Sequence, residues 1–372
     1  MGASLNYIIT GNTYNGKYAQ NPEAGITVLS AEELSQSKLR FSPRDKVYVP
    51  SETSLSLVMD RLDDSTTVAG IRILKDKYLC REALSGLFPD FYFAKCDLDA
   101  IKDLKITDKK LVIKPRKGFF GTGVRFADMN TDLIKLTTEI RAEVAAYSRF
   151  FPESILSAAE YVIEELIQGE EYAVDMYFDA AGKAEIMNIY HHPVPLNPEY
   201  AHLMYYSNSK LFDEHLQAFT QFFDSFGAIL NLKNFPLHAE FKLINGGFIP
   251  IEFNPMRYGG FGLADLAFNS YGFHPIAAYY SGNAVDWSDV WSTRAELSYA
   301  FILAYNGKDV DLGSMQPDHV KFRAYLQERV EIMDYVTLDF KHNPVFAIAY
   351  VKSSDGDKLN SLLATEFSDF FV

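Results

Sequence analysis

The stretch Leu237 to Gly260, LHAEFKLINGGFIPIEFNPMRYGG, constrains the chain most. Two apolar runs flank Asn245-Gly246-Gly247, which reads as a hairpin turn. With three residues in the loop, Ile244 pairs with Phe248, and that register sets Glu240 directly opposite Glu252. Asn254, two residues beyond Glu252, points to the same face. Facing carboxylates repel across a ladder. A divalent cation reverses that cost, because Mg²⁺ takes carboxylate and amide oxygens and shares its remaining sites with phosphate. The competing reading of the same pattern is a solvated strand face, since paired acids on surface hairpins are common.

A chain of 372 residues is long enough for two or three domains with a sizeable core. Its net charge of −14 argues against a nucleic-acid or anionic-membrane partner, while leaving room for a local basic pocket. The 29 Phe and 23 Tyr read chiefly as core packing. Cys80 and Cys96 stand in no metal-ligand or CxxC spacing, so neither a disulfide scaffold nor a structural zinc site is expected. MGASLNYIIT lacks a basic segment followed by a long apolar one, and no apolar run approaches spanning length. The expected location is cytoplasmic.

The chain begins with the βα rhythm of an open parallel sheet: strands at Asn6 to Thr10 and Lys46 to Pro50, and a helix at Ser54 to Leu62. Gly11-Asn12-Thr13-Tyr14-Asn15-Gly16-Lys17-Tyr18 matches a P-loop up to its last position. There Tyr18 replaces the hydroxyl that would bind Mg²⁺, and Pro22 with Gly25 disfavours the long helix a P-loop needs. A helix is expected over Lys75 to Leu84. Leu111 to Pro115 reads as a strand carrying Lys114, followed by a glycine-rich turn with Gly118, Gly121, Thr122 and Gly123. Backbone amides and a cation at such a turn can hold phosphates, although an ordinary hairpin loop has the same composition.

Asp132 to Tyr147 reads as an amphipathic helix, and Tyr161 to Ile167, Glu171 to Phe178 and Ala184 to His191 as strands. Phe212 to Leu230 is a long helix with Leu216, Phe219, Phe223 and Phe226 inward, and Gly262 to Tyr280 a further helix. Val345 to Val351 is a strand in a tail without carboxylate motifs.

Four features occur in order: Lys114 with its glycine turn; Glu164-Glu165-Leu166-Ile167 with Glu171; the Glu240, Glu252, Asn254 set; and Arg257 before Gly259-Gly260. Together they resemble the ATP-grasp superfamily, most closely its carboxylate–amine ligases, such as D-alanine–D-alanine ligase, biotin carboxylase and the amino-acid dipeptide ligases. The resemblance covers roughly Lys77 to Ser281. It implies an α/β and α+β fold with an N-terminal open parallel sheet (1–75), a two-part ATP-binding domain (76–285, divided near 160) and a small C-terminal α+β cap (286–372).

By position, the resemblance implies that Lys114, the turn from Gly118 to Val124 and, earlier, Lys77 contact ATP phosphates. Glu164 would approach the adenine amine within the Glu164-Glu165 pair, Ile167 would offer its backbone amide, and Glu171 would bind the ribose. Glu240, Glu252 and Asn254 would hold Mg²⁺, two ions being expected and Mn²⁺ an alternative. Arg257 and Lys114 would be catalytic. His191, His192, Gly259 and Gly260 lie where the family places substrate contacts.

Two departures stand out. Met256 intervenes, so Arg257 lies three residues after Asn254 where two are usual, and Phe119 and Phe120 occupy loop positions where small residues are usual. The implied reaction joins an amino-acid-like carboxylate and an amine through an acyl phosphate, with release of ADP and phosphate. The same motifs also serve a kinase acting on a small-molecule hydroxyl, or a non-catalytic nucleotide-binding protein. A nicotinamide enzyme is disfavoured, since no GxGxxG follows the first strand. A homodimer is kept open, because nothing in the sequence addresses oligomeric state.

Overall fold

Three strands rich in β-branched residues start the chain: β1 (Asn6–Thr10), β2 (Ile26–Ser30) and β3 (Lys46–Tyr48). They form a parallel sheet in the order β2-β1-β3, with Asn6 opposite both Ile26 and Lys46. The computed structural model describes residues 4–116, 123–147 and 160–372, without the side chains of 144–147. Ile8 and Ile9 are fully buried, as expected for the centre strand of an open parallel sheet. After β1 the chain turns at Gly11, where a Cβ would lie 2.3 Å from Thr53 Oγ1, so only glycine fits. The helix that follows is the short Lys17–Gln20, unlike the helix of a P-loop.

Two compact units divide the chain: Met1–Thr67, Glu170–Phe241 and Asn254–Val372 form the first, and Val68–Gly169 with Lys242–Phe253 the second. In the second unit β4 (Phe93–Asp97), β5 (Leu111–Pro115), β6 (Arg125–Ala127) and β7 (Glu160–Glu165) make an antiparallel sheet in the order β4-β7-β5-β6. Leu111, Ile113, Tyr161 and Ile163 line its inner face against Leu136 and Ile140 of the helix Leu133–Tyr147. The pairing of Lys114 with Val162, and of Val112 with Glu164, fixes where the strand lysine and the strand acid emerge.

The largest sheet has eight strands: β8 (Glu170–Phe178), β9 (Ala184–His192), β10 (Met204–Asn208), β11 (Phe235–Ile244), β12 (Gly247–Pro255), β13 (Ser298–Tyr305), β14 (Glu331–Thr337) and β15 (Val345–Ser353). Their order is β12-β11-β8-β9-β10-β13-β15-β14, so the strands of the C-terminal tail continue the same sheet. The helix Ser209–Leu230 buries Phe219, Phe223 and Phe226. Gly227 lets it approach closely, since a Cβ there would lie 2.4 Å from the Phe178 ring. Among the described residues no helix is long and apolar enough to cross a membrane.

Three local expectations are corrected. The helix expected over Lys75 to Leu84 is two helices, Ser65–Lys75 and Lys77–Leu84, because Asp76 leaves helical geometry to cap the second. The helix expected over Gly262 to Tyr280 is also two, Asp265–Tyr271 and Pro275–Ser281, broken by left-handed Gly272 (φ 81°) and Pro275. The hairpin turn has two residues, not three: Asn245 (φ 50°) and Gly246 (φ 80°) supply the pair of positive φ values a type I′ turn requires. Just past the end of β12, Met256 N donates to Pro236 O at 2.8 Å.

Candidate functional site

In the second unit the chemistry starts at Asp76. Its carboxylate accepts from Tyr78 N and Leu79 N, both at 3.1 Å, and so starts the helix that carries Lys77. Arg116 holds the same carboxylate at 2.8 and 2.7 Å and reaches Glu160 at 2.6 Å. Since Arg116 directly follows β5, this clamp ties the start of the Lys77 helix to the end of the Lys114 strand.

One turn past Lys77 lies Arg81, buried at 5% exposure. Its Nε and Nη2 donate to the two oxygens of Glu164 at 2.9 and 3.0 Å, and Nη1 donates to Pro250 O at 2.7 Å. Lys114 Nζ donates to Glu164 Oε2 at 2.9 Å. Burial alone would raise the pKa of Glu164, but the charges of Lys114 and Arg81 outweigh it and bring the group to about 2. Burial lowers the pKa of Lys77, assisted by Lys75 and Lys114 and opposed by Glu252 and Glu164. A cavity of about 30 Å³, room for a single water, lies among Lys77, Arg81, Glu164 and Glu252. Lys75, Lys77, Arg81 and Lys114 outnumber Glu164 and Glu252, and leave a net positive centre suited to phosphate oxygens. Glu165 faces elsewhere, accepting from Tyr92 N at 3.1 Å and pairing with Lys109 at 2.5 Å. Ile167 is half-buried in the segment after β7. Gly123 is left-handed (φ 72°), and its N–H donates to Glu143 at 3.1 Å. Gly118, Gly121 and Thr122, with Phe119 and Phe120, lie outside the described residues.

In the first unit, Glu171 pairs with His192 Nδ1 at 2.6 Å, and His192 Nε2 lies 2.8 Å from Ala201 O. Both ring nitrogens are thus engaged, and the ring stacks on Tyr205 at 4.1 Å. His191 contacts Tyr206 Oη through Nδ1 at 2.9 Å, and burial lowers its pKa. Glu240 and Asn254 belong to this unit and Glu252 to the second. His238 Nδ1 lies 2.8 Å from Asp175 Oδ1, and its Nε2 3.4 Å from Glu240 Oε1. Burial works against a charged ring here, but Asp175 and Glu240 outweigh it and raise the pKa to about 9. Burial likewise opposes ionisation of Glu240, and His238 overcomes it, lowering that pKa. Each of Glu240, Glu252 and Asn254 carries a side-chain oxygen, the donor type that Mg²⁺ and Mn²⁺ take.

Met256 is accommodated as a left-handed residue (φ 65°), with its N–H donating to Pro236 O and its carbonyl accepting from Val49 N, both at 2.8 Å. Arg257 follows, with Nη1 donating to Tyr258 O at 3.1 Å and Nε 3.8 Å from Glu52 Oε2. Gly259 N donates to Asp175 Oδ1 at 2.8 Å, and a Cβ on Gly260 would lie 3.7 Å from Arg257 Nη1. A separate cavity of about 770 Å³ beside Lys17, Asp265 and His274 is lined by none of these candidates.

Residues 107–265 match the family model of the ATP-grasp domain. Among solved structures, the chain is similar to L-amino acid ligase from Bacillus licheniformis, with a TM-score of 0.68, 14% identity and coverage of 100% of this chain and 99% of that one. It is similar to N5-carboxyaminoimidazole synthetase from Staphylococcus aureus complexed with ADP (TM-score 0.63, 13% identity, 96% of each chain). A third likeness is the β,γ-ATP complex of biotin carboxylase from Campylobacter jejuni (TM-score 0.58, 12% identity, 94% of this chain and 82% of that one). The chain has the ATP-grasp fold. No protein of curated function matches its sequence.

The matched ATP-grasp span runs from before Lys114 to beyond Gly260 and leaves Lys77 outside. Three charged residues of this chain escaped the sequence reading: Arg81, Asp175 and His238. Two carried a signal. Arg81 is one helical turn after Lys77, and His238 shares a strand face with Glu240. Asp175 had none, since a lone acid in a strand identifies no partner.

His238 predicts a pH effect on stability. Its folded pKa of about 9 exceeds the ordinary histidine value, so its contribution is complete below about pH 6.5 and is lost as pH rises through about 9. Wild type should lose stability on the order of 3 kcal/mol across that window relative to His238→Gln. Denaturant titrations of both proteins from pH 6.5 to 9.5 measure it, and parallel curves would remove the charged ring.

Proposed function

We propose that the chain is an ATP-dependent carboxylate–amine ligase. The observation that carries this reading is the buried set Lys114–Glu164–Arg81, with Lys77 nearby, in a domain of ATP-grasp fold. The related folds include a ligase of L-amino acids and complexes with ADP and β,γ-ATP, which supports a nucleotide and amino-acid-like substrates here.

In this reading Lys77 and Lys114 bind ATP phosphates, together with the glycine-rich residues 118–124. Glu164 acts by holding Lys114, and Arg81 holds Glu164. The backbone of Ile167 meets the adenine, and Glu171, oriented by His192, meets the ribose. Glu240, Glu252 and Asn254 hold Mg²⁺, which when bound neutralises phosphate charge. Arg257 faces the reacting carboxylate, and Gly260 leaves room for it, while the missing Cβ of Gly259 makes room for Leu263.

A carboxylate oxygen attacks the γ-phosphorus, the bond to the β,γ-bridging oxygen breaks, and ADP leaves. The amine nitrogen then attacks the acyl carbon, the acyl–oxygen bond to phosphate breaks, and one ammonium-derived proton is lost. Phosphoryl transfer of this kind needs alignment and charge neutralisation more than a covalent catalyst, which suits a site of lysines, arginine and carboxylates.

A screen of amino acids and small carboxylic acids in pairs, reading phosphate and ADP, tests the reading. Equimolar ADP and phosphate that depend on both partners, with an amide in the mixture, is the expected result. ADP formed with a phosphorylated hydroxyl product contradicts it.

A further inference from the structure

Asp175 takes no part in the reaction above, yet it is wholly buried in β8. Oδ1 accepts from His238 Nδ1 and from Gly259 N, both at 2.8 Å, and Oδ2 accepts from Tyr190 Oη at 2.9 Å. Removing a carboxylate from water is costly, and an apolar residue would fill a core position with less penalty. The placement of its donors shows what the carboxylate joins. His238 stands in β11, with its other nitrogen 3.4 Å from Glu240. Gly259 stands in the turn after β12, two residues past Arg257. Tyr190 braces the same carboxylate from β9.

We propose that Asp175 is a positioning residue that sets Glu240, through His238, and the Arg257–Gly260 turn, through the Gly259 N–H, in one fixed arrangement. The metal side and the acyl side of the first unit are then oriented by a single carboxylate. The inference rests on the ligase reading, in which Glu240 holds the metal and Arg257 meets the carboxylate. Among the described residues the other buried carboxylates do not share this geometry: Asp76 caps the Lys77 helix and pairs with Arg116. Glu164 serves cations of the second unit, and Asp265 accepts from Lys17 N and His274, neither of which adjoins a proposed ligand.

The test uses Mn²⁺ with ATP as the probe, free Mn²⁺ being read by electron paramagnetic resonance on the full chain. Asp175→Asn keeps the size of the side chain but replaces one acceptor oxygen by a donor, and should weaken Mn²⁺ retention at least tenfold. His238→Gln cuts only the link to Glu240 and should weaken it similarly, so the inference stays testable if the Asp175 variant fails to fold. Tyr190→Phe removes a donor to Asp175 but neither link, and should stay within twofold of wild type. In the double variant the two effects should not add, because they act along one line of contacts. Folded single variants with wild-type Mn²⁺ retention, or losses that add fully, would overturn the positioning role. A wild type that retains no Mn²⁺ with ATP would overturn the ligase reading, and this inference with it.

Discussion

Replacing Glu240 and Glu252 together by Gln should lower ATP turnover by about three orders of magnitude or more while leaving the fold intact. The magnitude follows from removing both charges that, in the proposed ligase, would hold a cation against a transferring phosphoryl group. The fold survives because both side chains are only half-buried, and Gln preserves their shape. His238 keeps Asp175 as its partner after the change. Turnover and thermal unfolding of the double variant measure the two halves of this expectation. Wild-type turnover in a folded double variant would remove the pair from any metal site.

Glu164→Ala should destabilise the protein by about 3–5 kcal/mol, the range for breaking a buried ion pair from one side. Arg81 would keep its bond to Pro250 O but lose both carboxylate contacts, and Lys114 would lose the anchor that aims it. Nucleotide affinity should fall with stability, although no part of Glu164 is required to touch the nucleotide. The depressed pKa sets the sign with pH. The contribution is complete above the ordinary Glu range and is lost as pH falls toward about 2, so wild type and variant should converge in acid. A loss below about 1 kcal/mol at pH 7 would mean that the pair is no more than a surface-like contact.

Much of this arrangement was legible because strand patterns repeat every two residues. The β11–β12 hairpin, the Glu-x-Asn spacing and a lysine near the end of β5 all follow from that periodicity. The hairpin's turn length was misjudged because Asn245-Gly246 and Gly246-Gly247 both offer turn residues, and only backbone φ values choose between them. The helix breaks at Asp76 and at Gly272 to Pro275 were marked by cap and breaker residues, which the apolar periodicity on either side obscured. The partners of Arg81, Asp175 and His238 lay beyond sequence reasoning for a different cause, although the spacing of Arg81 from Lys77 and of His238 from Glu240 was visible. Their meaning depends on partners 63 to 169 residues away, which only tertiary packing identifies. Met256 shows the reverse case, a visible insertion whose accommodation as a left-handed residue could not be read from its type.

The central claim is that ATP activates a carboxylate. The most direct measurement supplies enzyme, Mg²⁺, ATP and hydroxylamine with amino acids and small carboxylic acids taken singly, and assays for hydroxamate and ADP. An acyl phosphate is captured by hydroxylamine, so hydroxamate should form in step with ADP for the correct acid. Arg257→Ala should lower that yield about a hundredfold or more, as expected for losing one donor to a developing oxyanion. ADP formation accompanied by a stable phosphorylated hydroxyl and no hydroxamate with any acid would contradict the account.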